Sequence, residues 1–168
     1  MVKNNYLIKC MLCSSILLFV IIDQIVKYLI EKILPKYSTI VIIPSTLHLT
    51  YVKNYGAAFG ILQNQKIFLL GITSVILIGV LFFLFLKEIK SGFLLWALVL
   101  VVSGGIGNLI DRIFRGYVVD FIDFRLINFA VFNLADSYVS IGTFLIVIYT
   151  LFIDAGYSLN KKGNLVNE

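Results

Sequence analysis

Residues 67–86 form a run of 20 residues without a single charge. An α-helix rises about 1.5 Å per residue, so such a run matches the roughly 30 Å hydrocarbon core of a bilayer. Three more apolar runs of similar length follow the same rule, at about residues 6–30, 92–110 and 129–153. A 168-residue chain cannot bury four such helices inside itself. Its composition also leaves little to face water with: 60% of the residues are hydrophobic and 14% charged, against roughly 45–50% and about 25% in soluble domains. The expected fold class is an all-α membrane protein with a small β addition, a single integral membrane domain over residues 1–168.

Four spans place both termini on one side, together with the polar turn at 87–91. That side carries Lys3, Lys9, Lys87, Lys90, Lys161 and Lys162 against Glu88, Asp154 and Glu168. The positive-inside rule makes it cytoplasmic. Lys32, Lys36, Lys53, Arg112, Arg115 and Arg125 oppose the rule from the other side. The net charge of +5 is thus a matter of span ends, where lysines meet headgroups. No basic run interleaves with aromatics, so nucleic-acid binding is not expected. The start of the chain looks like a signal peptide, but no small-x-small cleavage site follows the apolar run 10–22. The first span is expected to stay attached. Cys10 and Cys13 sit inside that run and read as apolar filler. A single histidine, His48, argues against a zinc site, which needs three or four ligands. No metal or cofactor is expected.

Residues 34–62 differ. They hold both prolines, Pro35 and Pro44, and the β-branched runs 39–43 and 47–52, which read as short strands. Open strand edges are not tolerated in lipid, so this segment belongs at or outside the membrane surface. A turn of small residues follows, from Asn54 and Gly56 to Gly60, where backbone can approach a ligand closely. Residues 112–128 read as an amphipathic connection outside the core. A polar tail begins at Asn160-Lys161-Lys162-Gly163.

Four of the six aspartates lie between Gly104 and Asp136. Acids near a bilayer are costly and are functional candidates by default. Gly104, Asn108 and Asp111 share one face of the third span, and Asn133, Asp136, Ser137 and Ser140 form a polar stripe on the fourth. Facing each other, they make a polar pocket, with the glycines permitting close approach. Asp23 and Lys27, four apart with the acid first, form a helical ion pair. Asp111 beside Arg112 reads as an acid with its own counter-ion. Asp120 and Asp123 stand in the apolar run Val118 to Phe124. Either of them with Asp136 makes a carboxylate pair that shares a proton. One member then acts as general base on water and the other as general acid on a carbonyl. The residues by themselves do not choose between Asp120 and Asp123. A Ser-His-Asp triad would have to use His48. The alternative function is a small transporter or channel subunit with an aspartate relay, which places its acids near mid-bilayer.

At these residues the chain resembles lipoprotein signal peptidase, or signal peptidase II. The motifs run in the family's order: Asp23-Gln24 with Lys27; Asn54-x-Gly56-Ala57-Ala58-Phe59; Gly104-x-x-Gly107-Asn108-x-x-Asp111-Arg112; Val119-Asp120-Phe121; Phe132-Asn133-x-Ala135-Asp136-Ser137. Gly105 stands where the family carries alanine. The resemblance implies four transmembrane helices with an extracytoplasmic β-cradle over about residues 34–62. It implies an aspartic endopeptidase with the dyad on Asp120 and Asp136, and sets Asp123 aside. Asp23, Lys27, Asn54, Gly56, Gly104, Asn108, Asp111, Arg112 and Asn133 fall on supporting or substrate-binding positions. The implied partner is a prolipoprotein signal peptide ahead of a diacylglyceryl-cysteine, in contact with membrane lipids. The implied place is the bacterial cytoplasmic membrane, with the site on its outer face. A monomer is expected.

Overall fold

The computed structural model describes residues 2–34, 39–57 and 61–154. Pro35, Lys36, the Ala58-Phe59 end of the second motif with Gly60 after it, and the tail from Asn160 lie outside the described residues. In order come α1 (Val2–Ile33), β1 (Thr39–Ile43), β2 (Leu47–Asn54), α2 (Lys66–Leu86), α3 (Gly92–Phe114), β3 (Val118–Phe124) and α4 (Leu134–Ile148). π-Helical turns from Tyr149 to Asp154 continue α4. Among the described residues, four helices are long and apolar enough to cross a membrane.

The helices α1, α2 and α4 pack on the central helix α3. Their contact is apolar at one end, where Leu12, Ile16 and Val20 of α1 meet Leu84, Leu98, Val99 and Val102. The spacing of those α1 residues continues to Asp23 and Lys27, both 0% exposed. One face of α1 therefore changes along its length from apolar packing to fully buried charge. Most of the remaining apolar surface of α2, including Ile67, Val75 and Phe82, faces outward, as expected of a helix solvated by lipid.

Helices in lipid gain nothing from hiding apolar surface and depend on close van der Waals contact. Gly104 supplies it: a Cβ there would collide with the Ala135 carbonyl oxygen and with Val139 of α4. Gly104→Ala is expected to cost about 1–3 kcal/mol by overpacking, because a backbone carbonyl cannot swing aside. Gly71→Ala, where a Cβ meets nothing within 4 Å, is the control and should leave the melting temperature in detergent unchanged or higher.

The three strands form one antiparallel sheet in the order β1-β2-β3. β2 pairs with β3 from Leu47↔Phe124 to Asn54↔Val118, with a bulge between Leu49 and Val52. Tyr51 and Tyr117 donate their hydroxyls to Glu31 Oε1 at 3.0 and 2.8 Å, which ties the sheet to the end of α1. Leu34, Tyr51 and Val119 form a small apolar core beneath it.

Three expectations need correction. Residues 112–128 are not one amphipathic connection. α3 continues to Phe114, a turn at Gly116 (φ +83°) follows, and residues 118–124 are the third strand. The helix of the third span runs on past 110, so Arg112, like Asp111, lies on it and not in a connection. The fourth helix starts at Leu134, not near 129. Asn133 caps it by accepting from Asp136 N–H at 2.9 Å, while Asp136 Oδ2 accepts from Asn133 N–H at 3.2 Å. This reciprocal capping box is a strong helix start. Phe132 just before it bridges to Ile122 of β3.

Candidate active site

Asp120 and Asp136 both line a cavity of about 750 Å³ between α2, α3, α4 and the sheet. Its other walls are largely apolar, with Ile76, Leu77, Val101 and Val139 among them. Asp120 arrives on β3 and Asp136 on the first turn of α4. Strand geometry separates Asp120 from Asp123, because residues three apart point to opposite faces. Asp123 accepts from Thr50 Oγ1 at 2.7 Å and Arg125 Nε at 3.0 Å. Burial pushes its carboxyl up, but these partners prevail and hold it below the ordinary carboxylate range. It is not among the cavity's lining residues.

Each of the four oxygens of Asp120 and Asp136 receives one nitrogen donor. Asp120 Oδ1 accepts from Asn133 Nδ2 at 2.7 Å and Oδ2 from Asn54 Nδ2 at 2.8 Å. Asp136 Oδ1 accepts from Asn108 Nδ2 at 2.7 Å and Oδ2 from the Asn133 N–H at 3.2 Å. The amide orientations follow from what holds their oxygens. Asn54 Oδ1 accepts from Gly56 N–H at 2.9 Å, Asn133 Oδ1 from Asp136 N–H at 2.9 Å, and Asn108 Oδ1 from Lys27 Nζ at 2.9 Å and from Asn133 Nδ2 at 3.2 Å. Each NH₂ is thereby turned toward a carboxylate.

Asp120 is 1% exposed. Burial first, and the Asp136 carboxylate second, push its carboxyl up to about 7 against the opposing hydrogen bonds from Asn54 and Asn133 and the charge of Lys27. A group poised near neutrality beside a second carboxylate fits acid–base chemistry.

Beneath this pair lies a second polar layer. Lys27 Nζ is 2.9 Å from Asp23 Oδ2 and 3.0 Å from Asp111 Oδ2, all three side chains fully buried. Asp23 Oδ1 accepts from Ala135 N–H at 3.0 Å, and Asp111 Oδ2 accepts from Val119 N–H at 3.2 Å. The charged layer thus pins the starts of both α4 and β3, the two elements that carry Asp136 and Asp120.

The family described as Signal peptidase (SPase) II matches residues 15–152. The lipoprotein signal peptidase of Streptococcus thermophilus is 43% identical over 134 residues, which is 80% of this chain and 88% of that protein. The one of Caldanaerobacter subterraneus is 44% identical over 146 residues, 87% and 93% of the two chains. A bacterial membrane enzyme solved at 2.3 Å by the in meso method superposes with a TM-score of 0.79 at 38% identity, covering 84% of this chain and 87% of that one.

The chain belongs to the signal peptidase II family.

This signal peptidase II chain brings together most of the residues singled out in its sequence. Asn54, Asn108 and Asn133 touch the two acids. Asp23, Lys27 and Asp111 form the layer below, and the Asp23–Lys27 ion pair is present at the expected spacing. Gly104 lies against α4, and Gly105 lies against Leu77 on the cavity wall. Arg112 is a correction. It is not the counter-ion of Asp111, whose partners are Lys27 and Arg115. Arg112 reaches across the cavity rim to donate to the Gly56 carbonyl at 2.9 Å. On a helix adjacent residues diverge by about 100°, so i+4 and not i+1 is the partner position.

Two supporting residues were not among the candidates, although Gln24 stands in the first motif. Gln24 Nε2 donates to Asp23, to the Gly107 carbonyl and to Asp111 Oδ1 at 3.1–3.2 Å. Arg115 Nη1 bonds Asp111 Oδ1 at 3.0 Å and its Nε lies 3.7 Å from Glu31. The four-residue step from Asp111 to Arg115 was the available signal, the same one that marks Asp23 and Lys27.

Proposed function

We propose that this chain is an aspartic endopeptidase that removes the signal peptide from diacylglyceryl-modified prolipoproteins by cutting before the lipid-bearing cysteine. The observation that carries the reading is the pair Asp120 and Asp136 at one wall of a largely apolar cavity, with every carboxylate oxygen held by an amide donor. Asp120 is on a strand outside the helices and Asp136 is in the first turn of α4. Both therefore sit at the end of the bundle, at membrane-surface depth, rather than mid-bilayer where an ion relay would need them. Acyl chains can lie against Ile76, Leu77, Val101 and Val139 while the scissile bond stays at the acids. By this reading the sheet and site are extracytoplasmic and both termini cytoplasmic.

In the chemical step Asp136 is the ionised member and Asp120 holds the proton. Asp136 takes a proton from a water as the water oxygen bonds to the scissile carbonyl carbon. Asp120 gives its proton to the carbonyl oxygen, which forms a neutral tetrahedral diol. Asp136 then returns its proton to the leaving nitrogen, the C–N bond breaks, and one diol proton goes back to Asp120. Atoms and charges balance, and the dyad ends as it began. Asn108 and Asn133 orient the two acids, Arg112 braces the Gly56 segment, and Asn54 holds Asp120.

The test is mass spectrometry of a purified diacylglyceryl-modified prolipoprotein incubated with the protein and a chelator. Loss of the signal-peptide mass is expected, with no loss from the unmodified precursor. An intact precursor with demonstrably folded protein would sink the reading. The pH profile gives a second expectation. The dyad needs the Asp120 proton, which is held below about pH 7 and lost above it. kcat/KM should therefore fall about tenfold per pH unit on the alkaline side, with an apparent pKa near 7 belonging to the pair. A profile flat from pH 6 to 9 would contradict the assignment of Asp120 as the acid.

A further inference from the structure

No described side chain of α1 lines the cavity, yet one α1 side chain bonds a group that touches the acids. Lys27 is 0% exposed. Its three ammonium protons meet three acceptors: Asp23 Oδ2 at 2.9 Å, Asp111 Oδ2 at 3.0 Å and Asn108 Oδ1 at 2.9 Å. Two carboxylates already satisfy its charge. The third proton goes to a neutral amide whose other end bonds Asp136 Oδ1 at 2.7 Å. An ammonium has no lone pair, so it can hold only the oxygen of an amide. A rotated Asn108 would set NH₂ against the ammonium and its own oxygen against a carboxylate. The oxygens of Asn54 and Asn133 are held by backbone N–H groups, which any residue supplies. Asn108 is the member of the three whose oxygen takes a charged side-chain donor; the same oxygen also accepts from Asn133 Nδ2 at the longer 3.2 Å, so Lys27 is the shorter and charged one of its two donors.

We propose that Lys27 is a positioning residue: by holding the Asn108 oxygen it commits the Asn108 NH₂ to Asp136 and keeps that carboxylate in the ionised form that activates water. This rests on the aspartic-peptidase reading above. The other charged groups that face the pair are Asp23 on α1, Asp111, Arg112 and Arg115 on α3, and Asp120 on β3. Lys27 also acts on Asp120 through its charge, in the same sense as its effect through Asn108.

The experiment is the pH profile of kcat/KM for a diacylglyceryl-modified precursor in detergent. Lys27→Met alone would leave Asp23 and Asp111 without their shared cation, so it is paired with Asp23→Asn, whose amide oxygen can still accept from Ala135. Asp23→Asn by itself keeps Lys27 and should leave the acid limb in place. The double variant should move the acid limb about one pH unit higher, about a tenfold loss at pH values below it, with KM unchanged. Asn108→Leu keeps the ion cluster intact and should show the same shift. Adding it to the double variant should move the limb no further, since coupled residues are non-additive. An unmoved limb in Asn108→Leu overturns the proposal by itself, whether or not the Lys27 variants fold. Additive shifts, or a lower rate at every pH with the limb unmoved, also overturn it. An inactive wild type or an active Asp136→Asn would instead overturn the peptidase reading, so the two failures are distinct.

Discussion

Asp136→Asn and Asp120→Asn are each expected to lower kcat for prolipoprotein cleavage by at least about 10³-fold, while the protein still inserts and folds. General acid–base catalysis by one positioned group is worth about 10²–10⁴-fold, and neither acid has a substitute within its hydrogen-bond network. The new amide carries a cost of its own. Both oxygens of each acid already receive a donor, so an asparagine must turn its NH₂ against another N–H. That loss is about 1–3 kcal/mol, enough to lower the melting temperature and too little to prevent folding. Asp123→Asn is the discriminating control. Asp123 is on the opposite face of β3 and bonds Thr50 and Arg125, so its variant should keep wild-type kcat. Full activity of either dyad variant, or an inactive Asp123→Asn that folds, would refute the assignment. The readout is single-turnover cleavage followed by mass spectrometry.

The largest stability effect is expected at a residue that does not line the cavity. Asp111 is fully buried and binds Lys27, Arg115, Gln24 and the Val119 N–H. Asp111→Ala leaves Lys27 with one carboxylate, opens a gap at the base of β3 and strands a backbone donor. Removing one partner of a buried ion pair costs about 3–5 kcal/mol. Little folded protein should survive extraction, and activity should fall with the folded fraction. Asp111→Asn keeps the oxygen for Val119 or Lys27 and should be milder. Thermal unfolding in detergent, followed by size-exclusion chromatography, separates the two. An Asp111→Ala variant that melts like the wild type would mean that the buried charges stabilise nothing.

The strength of this cluster explains why so polar a layer is tolerated between helices. Each charge has a partner and each partner has a backbone or amide contact, so few lone pairs are left bare. The backbone N–H donors it binds, Val119 and Ala135, sit at the starts of β3 and α4. Strain or loss there is therefore transmitted directly to Asp120 and Asp136.

How much of this was legible in the chain depends on the range of the interaction. The four helices follow from run length alone, because the bilayer thickness sets a minimum of about 20 apolar residues. β1 and β2 follow from β-branched runs flanking Pro44. β3 was hidden: Val118 to Phe124 interrupts its apolar residues with two acids in no strict alternation, so no period emerged. The start of α4 was misplaced because apolar Phe129 to Phe132 extends the hydropathy of the helix. The capping pair Asn133 and Asp136 was nonetheless readable.

The division is one of distance along the chain. Span lengths, the Asp23–Lys27 pair and the concentration of acids between Gly104 and Asp136 are properties of near neighbours, so the sequence by itself determined them. It also determined the family, through five short motifs. Which acids meet is a different matter. The residues by themselves left Asp120 and Asp123 open and only the resemblance chose; the physical reason is the face that β3 turns to the cavity, which pairing with β2 sets. Asn54 meets Asp120 across 66 residues and Lys27 meets Asn108 across 81. No local pattern encodes such contacts, because they arise only when α1, α3, α4 and the sheet close around one buried polar centre.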